Sequence, residues 1–403
     1  MTMNRRNFLR GAAVGSAVGL TAAVAETAAD GADPAAGVRT SYDFEGAHQA
    51  GILQPRQAAA AFLAMDVVVD SKAELAEAMR ALTDRARFLA SGGTPPQMGN
   101  TAPPADSGVL GPDVPTSGLT MTFGFGSSVF DERFGLADQK PARLRPMDTF
   151  QDDNLDPARC HGDVLVQVCA ENQDAVLHAL RDLTRHARGA LQPRWRIDGF
   201  ASPPRPDGTP RNLMGFRDGT SNPDVNNAKE VDRLVWTSAG EPAWANGGTY
   251  QVVRIIRMFV EFWDRVTIGE QEKMIGRRRD TGAPMGGRKE TDIPEFATDP
   301  TGVVTRLDSH IRMANPRTHE TEANRILRRA YNYDADIDLN GNLEMGLVFV
   351  AYQRNLDAGF VTVQKRLAGE PLVDYISPVG GGYFFALPGV KNAEDWLGCE
   401  LLT

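Results

Sequence analysis

The amino-acid sequence predicts an α+β protein made of two similar units, each with an antiparallel sheet and helices on one face. Two observations support this prediction. The strand patterns VLVQVCAEN and GLVFVAYQRN occupy matching places in the two halves, and a helical pattern follows each of them. At 403 residues the chain has room for two ordinary domains. A proline-rich stretch at 203–210 separates the halves, so we expect an N-terminal unit at 46–205 and a C-terminal unit at 206–403.

The first half alternates strand and helix patterns. Residues 59–69 are apolar and partly β-branched, which is typical of a buried strand. Ser71 and Glu74 form a capping box, and the helical pattern after them stops at the glycine pair 92–93. Residues 94–116 are rich in Pro, Gly and Ser, which predicts a long loop. Further strands are expected at 119–125, 163–170 and 195–200, with a helix that begins after Asn172.

The second half repeats this plan. An apolar run at 250–263 predicts a long strand, and the charged stretch 269–279 predicts a helix. A strand is expected at 347–352, a helix at 357–367 and a closing strand at 380–388. Because the order of strand and helix patterns matches that of the first half, we expect the two halves to have the same α+β architecture.

Composition excludes several classes of protein. The formal charge is −9, and an acidic chain argues against nucleic acid and anionic membrane surfaces as partners. The three cysteines form no CxxC, CxxCH or zinc-type spacing. A disulfide scaffold, a zinc site and covalent c-type haem are therefore not expected, and whether any two cysteines pair is left open.

The N-terminus has the features of a targeting segment. The basic pair Arg5-Arg6 precedes Phe8 and Leu9, and a short apolar run follows at 11–25. That run is too short and too rich in Gly and Ala for a membrane span, so no stable membrane insertion is expected. RRNFL resembles the twin-arginine export motif. We therefore predict a signal peptide at 1–25, a disordered leader at 26–45, and a periplasmic or other extracytoplasmic location.

Three polar residues are candidates for a haem peroxidase site. Asp218 lies in GFRDGTSNP, His310 begins HIRMANPR, and Arg328 lies in LRRAYNY, eighteen residues after the histidine. Haem iron commonly takes a histidine as axial ligand. Taken alone, each motif has a simpler interpretation: a turn for GFRDGTSNP, a structural imidazole for His310, and a surface helix end or a structural ion pair for Arg328. His178 and His186 lie on a charged helical stretch and are expected to be solvated.

These motifs together resemble the dye-decolorizing (Dyp-type) haem peroxidases. GFRDGTSNP, HIRMANPR and LRRAYNY, followed by GLVFVAYQ, FVTVQKRL and GGGYFFALPG, carry the resemblance, which is densest at 212–389. Within that family the chain is most similar to the twin-arginine-exported deferrochelatase/peroxidase branch. The resemblance implies a pair of ferredoxin-like units, of the dimeric α+β barrel type, with non-covalent haem b in the C-terminal unit.

The resemblance also implies a role for each site residue. His310 would be the proximal ligand of the haem iron, Asp218 the distal acid/base and Arg328 the distal arginine. Around the cofactor it implies haem contacts from Phe349, Leu347, Arg312 and Gly219, with Asp395 or Glu394 accepting the N–H of the proximal histidine.

The implied activity is reduction of hydrogen peroxide with oxidation of phenolic or dye-like donors or porphyrinogen. A carboxylate base implies an acidic pH optimum. The same branch implies a second activity, release of iron from haem with the porphyrin ring intact, in iron acquisition. It also implies components of an iron-uptake complex as partners and a homodimer or larger assembly.

Two other interpretations remain at this point. A periplasmic haem carrier without turnover would need no distal acid/base, and the Asp218–Arg328 pair argues against it. An α+β barrel enzyme without haem, similar to a chlorite dismutase that has lost its cofactor, would show no Soret band.

Overall fold

Eight of the nine strands in residues 41–403, the part described by the computed structural model, close into one antiparallel barrel. The strands are β1 (Ala59–Val67), β2 (Thr120–Gly126), β3 (Val164–Ala170), β4 (Leu191–Phe200), β5 (Thr249–Met258), β6 (Leu327–Arg328), β7 (Tyr331–Ile337), β8 (Leu343–Gln353) and β9 (Ile376–Ala386). The short β6 pairs only with β8 and lies outside the ring.

Helices cover the outside of the barrel. They are α1 (Lys72–Ser91), α2 (Gln173–Ala187), α3 (Ala228–Leu234), α4 (Val260–Trp263), α5 (Ile268–Ile275), α6 (His310–Ala314), α7 (Thr362–Arg366) and α8 (Cys399–Leu402). A π-helical turn at Asp357–Val361 leads into α7. Within residues 41–403 no helix is long and apolar enough to cross a bilayer.

Each half of the barrel is a ferredoxin-like sheet. In the first half the order is β4-β1-β3-β2, and in the second it is β9-β5-β8-β7. When the strands are numbered within their own halves and the short β6 is left out, both sheets have the order 4-1-3-2, so the second half repeats the topology of the first. The duplicated α+β fold expected from the sequence is confirmed.

Two seams join the half-sheets into a ring. At one seam β2 pairs with β9 through three residue pairs, from Gly124↔Ala386 to Gly126↔Phe384. At the other, β4 meets β7 through the single pair Phe200↔Asn332. Residues 41–403 lie within one compact unit, and the division of the chain at residue 205 stays a prediction.

The long helices of the first half form as their sequences predict. Ser71 caps α1, because its Oγ accepts the N–H of Glu74 at 3.2 Å and donates to the Glu74 carboxylate at 2.7 Å. The buried face of α1 carries the predicted helical repeat, which includes Leu75, Met79, Leu82, Ala86 and Leu89. Asn172 occupies the N-cap position of α2, but its side chain makes no capping hydrogen bond.

Three apolar clusters make up the core. One fills the barrel with side chains such as Phe62, Tyr331 and Phe384. A second lies between the outer face of the first half-sheet and helices α1 and α2, and it continues onto β5 and β9 of the second half-sheet. The third and smallest lies against the outer face of the second half-sheet and includes Met214 and Trp263. The second half-sheet is therefore less completely covered than the first.

Several local predictions need correction. The strand expected at 250–263 ends at Met258, and α4 follows it. Strand β7 was not predicted. His178 is buried, at 1 % exposure, and its Nδ1 lies 2.7 Å from Ser107 Oγ, because the loop 94–116 covers this face of α2. All three cysteines are free.

The predicted signal peptide lies outside the described residues, as does most of the predicted leader. The end of the leader, however, is attached to the fold. Phe44 packs against the core, and Glu45 forms a bridge to Val390 and an ion pair with Arg87 at 3.1 Å. Order therefore begins before residue 46, where the first unit was expected to start.

Candidate active site

A cavity of about 260 Å³ opens on the outer face of the second half-sheet. Leu347 and Phe349 of β8 line it, with Ile256 of β5 beside them. Alternation along β8 explains this placement, because Val348 and Val350 point into the barrel while Leu347 and Phe349 point outward. The walls of the cavity are therefore largely apolar, and its polar groups come from loops and short helices.

His310 is the first residue of α6 and lines this cavity. Its Nδ1 lies 2.9 and 3.0 Å from the two carboxylate oxygens of Glu370. A carboxylate only accepts, so Nδ1 carries the proton and donates it. In the neutral ring Nε2 then has a free lone pair, and it makes no hydrogen bond to any residue in 41–403. Burial disfavours the charged imidazole, but Glu370 outweighs this effect and raises the pKa of His310.

Asp218 and Arg328 meet at the same cavity. Arg328 Nη1 lies 3.0 Å from Asp218 Oδ1, and the two side chains are 28 % and 11 % exposed. The Asp218 N–H donates to Pro210 O at 3.0 Å, and the next residue, Gly219, has φ +111°. That φ favours glycine, so the Asp-Gly pair fixes the turn that points the carboxylate into the cavity.

Asn222 holds Arg328 by its backbone. The Asn222 Oδ1 accepts the Arg328 N–H at 3.1 Å, and its Nδ2 donates to the Arg328 carbonyl at 2.7 Å. The neighbouring Arg329 is buried on the opposite side, where it donates to the carbonyls of Gln54 and Pro55. The side chains of these two consecutive arginines thus point to opposite sides of the backbone, and of the two only Arg328 lines the cavity.

The structure brings five of the predicted site residues together at the cavity: Asp218, His310, Arg328, Leu347 and Phe349. Gly219 shapes the turn but is not part of the lining. Arg312 points away, because its guanidinium donates to the carbonyls of Thr305 and Asp299 at 2.7 Å each and pairs with the Asp299 carboxylate. The expectation that Arg312 contacts the cofactor is therefore wrong.

The predicted partner of His310 also needs correction. Asp395 accepts the Lys391 N–H at 2.9 Å, and its carbonyl binds Arg87 of α1 at 3.0 Å. Glu394 is exposed in the same turn. The chain end thus packs on the first half of the molecule, and Glu370 takes the role expected for these two residues.

Sequence reasoning missed Glu370 and Asn222. Glu370 lies sixty residues after His310 in a Gly-Glu-Pro turn before a 3-10 helix, and no spacing rule links the two positions. Asn222 lies within GFRDGTSNP, where Asn-Pro indicates a turn but not a contact with Arg328. The signal for Glu370 is its burial, at 3 % exposure, which only the structure shows; glutamate is rarely buried without a partner.

The likeness to known proteins covers nearly all of the described chain. Residues 49–201 match the family description "Dyp-type peroxidase, N-terminal", and residues 209–391 match "Dyp-type peroxidase, C-terminal". The chain is 53 % identical over 366 residues to a deferrochelatase of Escherichia coli O6:K15:H31, covering 89 % of this chain and 86 % of that one. The deferrochelatase of Escherichia coli K12 is 52 % identical over the same coverage.

Solved structures agree with this match. A Dyp-type peroxidase from Cellulomonas bogoriensis superposes with a TM-score of 0.81 at 38 % identity, covering 90 % of this chain and 98 % of that one. DtpA from Streptomyces lividans, solved as an oxyferrous/water mixed complex, gives 0.82 at 34 % identity over the same coverage. With both halves matched and the duplicated barrel in place, the chain belongs to the Dyp-type peroxidase family and is an enzyme of that type.

Proposed function

We propose that this enzyme holds haem b non-covalently through His310 and reduces hydrogen peroxide with Asp218 and Arg328. The observation that carries the proposal is the shared cavity: the Asp218–Arg328 ion pair and the imidazole of His310 line the same space. A protein that only carried haem would have no need of a carboxylate and a guanidinium paired there.

The residues present fit a haem group. His310 offers a neutral Nε2 to an iron, and the Glu370 carboxylate on Nδ1 fixes the ring and raises its basicity as a ligand. Apolar walls at Leu347 and Phe349 suit the face of a porphyrin. Among the described residues no group of three or more His, Cys, Asp or Glu could hold a bare metal ion. The sequence has no CxxCH motif, which favours non-covalent binding.

The polar pair would move protons and stabilise charge. The Asp218 carboxylate would accept a proton from one peroxide oxygen and deliver it to the other. Arg328, 3.0 Å away, would hold this carboxylate in place and stabilise negative charge on the departing oxygen. Bound haem would supply the redox chemistry of O–O cleavage. Because a carboxylate is the base, we expect peroxide turnover to be fastest below neutral pH.

Replacing Asp218 by Asn tests this assignment. We expect the Soret band to remain and peroxide turnover to fall by about 10²–10⁴-fold, since an amide cannot accept the proton. Stopped-flow absorption after peroxide addition measures the loss. Asp224→Asn, which changes an exposed carboxylate on the same loop, is the matched control. Unchanged turnover in Asp218→Asn, or a pH–rate profile that peaks above neutrality, would count against the role of Asp218.

We also propose that the enzyme releases iron from haem and leaves the porphyrin intact, in the service of iron acquisition. The support is the 52–53 % identity to relatives named deferrochelatase. Incubating the protein with haem and following the fluorescence of metal-free porphyrin tests the activity. Peroxide turnover without any porphyrin release would restrict the enzyme to the peroxidase reaction.

Export by the twin-arginine route completes the proposal. Arg5-Arg6 and the apolar run 11–25 support it, and both lie outside the described residues. Fusing residues 1–40 to a reporter and replacing both arginines by lysine should stop export. Cytoplasmic retention of the unmodified fusion would contradict this location.

A further inference from the structure

A second, much smaller cavity lies beside Asp218, where the first and second units meet. Its volume is about 10 Å³, which is room for one water molecule. Asp218 and Leu347 line this small cavity as well as the large one. Phe200 of β4 also lines it and is 39 % exposed, whereas the Asp218 side chain is 11 % exposed. The small cavity therefore lies between the Asp218 carboxylate and the molecular surface.

Asn332 lines the small cavity and has a buried oxygen without a hydrogen-bond donor. It forms, with Phe200, the single residue pair between β4 and β7, and it is 3 % exposed. Its Nδ2 donates to Ser202 Oγ and to the Arg211 carbonyl, at 3.0 Å each. Its Oδ1 accepts no hydrogen bond from residues 41–403. A buried amide oxygen in this state is unfavourable, and a donor held in the cavity would satisfy it.

Arg56 brings a cation to the small cavity from the segment before β1. Its Nη1 donates to the Ala330 carbonyl at 2.5 Å, and its guanidinium lies 6.0 Å from the centre of the Tyr331 ring. Its Nε and Nη2 donate to no residue in 41–403, and it forms no ion pair there. Burial lowers the pKa of Arg56, and the negative charge of Asp218 is the strongest effect that opposes this. Arg56 thus interacts with Asp218 through its charge without direct contact.

One water molecule would satisfy all three polar groups. Asp218 Oδ1 lies 3.0 Å from Arg328 Nη1, and Asp218 Oδ2 accepts no hydrogen bond from residues 41–403. A water in the small cavity would donate to Asp218 Oδ2 and to Asn332 Oδ1, and would accept from Arg56. Because a guanidinium only donates, it would orient this water with its hydrogens toward the two oxygens.

The proposed reaction needs a source of protons at this place. Reduction of one hydrogen peroxide to two waters takes up two electrons and two protons. A donor too large for the cavity gives up its electrons outside it, and its protons go to solvent. Asp218 moves a proton from one peroxide oxygen to the other, which supplies no net proton. Both protons must therefore come from solvent by a separate route.

We propose that Arg56, Asn332 and Asp218 bind one water in the small cavity, and that protons pass from solvent through this water to Asp218. Arg56 is then a positioning residue, because it orients the water and does not touch peroxide. The inference rests on the proposed function, since peroxide reduction at Asp218 is the reaction that consumes the protons. It also gives the first unit a part in the chemistry of the second.

Stopped-flow absorption separates the step that needs solvent protons from the step that does not. Mixing the haem-loaded mature chain with one equivalent of peroxide gives a first phase without net proton uptake. Adding an electron donor then restores the resting spectrum and consumes both protons. In Arg56→Ala we expect the first phase to keep the wild-type rate and the second to slow by about 10²-fold, the lower end of what positioned proton transfer contributes. Guanidinium added below denaturing concentration should restore the second phase.

Two further variants separate the water from the fold. Ala201→Val places two methyl groups at the small cavity and leaves the three polar side chains unchanged, so it should also slow the second phase alone. This variant decides the question where Arg56→Ala fails to fold, since Arg56 also holds the Ala330 carbonyl. Arg233→Ala, which removes an exposed guanidinium of α3, is the matched control and should keep both rates.

A crystal structure of the holoenzyme gives the direct check. It should show a water within hydrogen-bond distance of Asn332 Oδ1, Asp218 Oδ2 and the Arg56 guanidinium. A missing water in an active enzyme overturns the inference alone, and so does a wild-type second phase in the folded variants. Equal slowing of both phases would overturn it too, because Arg56 would then only support the fold around Asp218. A wild-type protein with the water but without any reaction with peroxide overturns the proposed function and the proton route with it.

Discussion

The two ferredoxin-like units share one strand order, but the cavity of about 260 Å³ lies on the outer face of the second sheet. In the first unit, α1 and α2 run for 20 and 15 residues and cover that face with apolar side chains. In the second, the connection from β5 to β7 contains only short helices, the longest being α5 with eight residues. The same strand order therefore gives a packed core where a long helix connects the first two strands of the unit. It gives a binding cavity where loops and short helices replace that helix.

The largest expected effect is a difference in the stability lost when two phenylalanines are replaced by alanine, one on the outer face of each half-sheet. Phe123 of β2 is fully buried under the helices, whereas Phe349 of β8 borders the cavity. Phe123→Ala should lower the free energy of unfolding by about 3–5 kcal/mol. Phe349→Ala should lower it by less than about 2 kcal/mol, because fewer neighbours are lost, and should alter the haem spectrum instead. Chemical denaturation of both variants, with Soret spectra, measures the contrast. Equal losses of stability would mean that the two faces are packed alike.

A smaller effect concerns the carboxylate that contacts His310. Glu370→Gln should weaken the basicity of the imidazole and raise the midpoint potential of bound haem, by about 60 mV for a tenfold change in relative affinity. Asp395→Asn is the matched control, since that carboxylate lies in the turn that packs on the first unit. Spectroelectrochemical titration measures both. A shift in Asp395→Asn but not in Glu370→Gln would mean that Asp395, and not Glu370, is the carboxylate that tunes His310.

The smallest expected effect is a change in how folding stability depends on pH, and it comes from a glutamate of the second unit. Burial opposes ionisation of Glu290, but hydrogen bonds from Thr209 and Thr220 and the charge of Arg217, 2.5 Å away, outweigh it and lower its pKa. A depressed pKa in the folded state adds stability above the unfolded value, and this stability is lost as pH falls through the folded pKa.

Glu290→Gln should therefore reduce stability at neutral pH and make the fall in stability below about pH 5 shallower than in the wild type. Thermal unfolding followed between pH 7 and pH 3 checks this. Glu295→Gln, an exposed carboxylate of the same loop without an ion pair among the described residues, should follow the wild-type profile. A wild-type profile in Glu290→Gln would contradict the assignment.

Much of the fold was predictable because its strands and long helices are periodic in sequence. The strands at 59–69, 119–125 and 163–170 were placed within a few residues of their observed bounds. Strand β7 was missed because LRRAYNY resembles a helix end. Tyr331 and Tyr333 alternate along β7 and are buried in the barrel. This alternation of side chains indicates a strand only when the neighbouring strand β8 is known.

The site was predictable only where a residue lies in a distinctive motif. Asp218, His310 and Arg328 each do, and the cavity brings them together. Glu370 does not, because its distance from His310 is set by tertiary packing over sixty residues of chain. Arg312 was misassigned for a related reason: its position on α6 is right, but the helix turns its side chain toward Asp299.

The unequal seams of the barrel have a mechanical consequence. Three residue pairs join β2 to β9, whereas the single pair Phe200↔Asn332 joins β4 to β7. A ring of hydrogen bonds under thermal or pulling stress parts first at its weakest link. We therefore expect β4 and β7 to separate first. Strand β7 begins shortly after Arg328, so local unfolding should reach the cavity before it reaches the half that α1 and α2 cover.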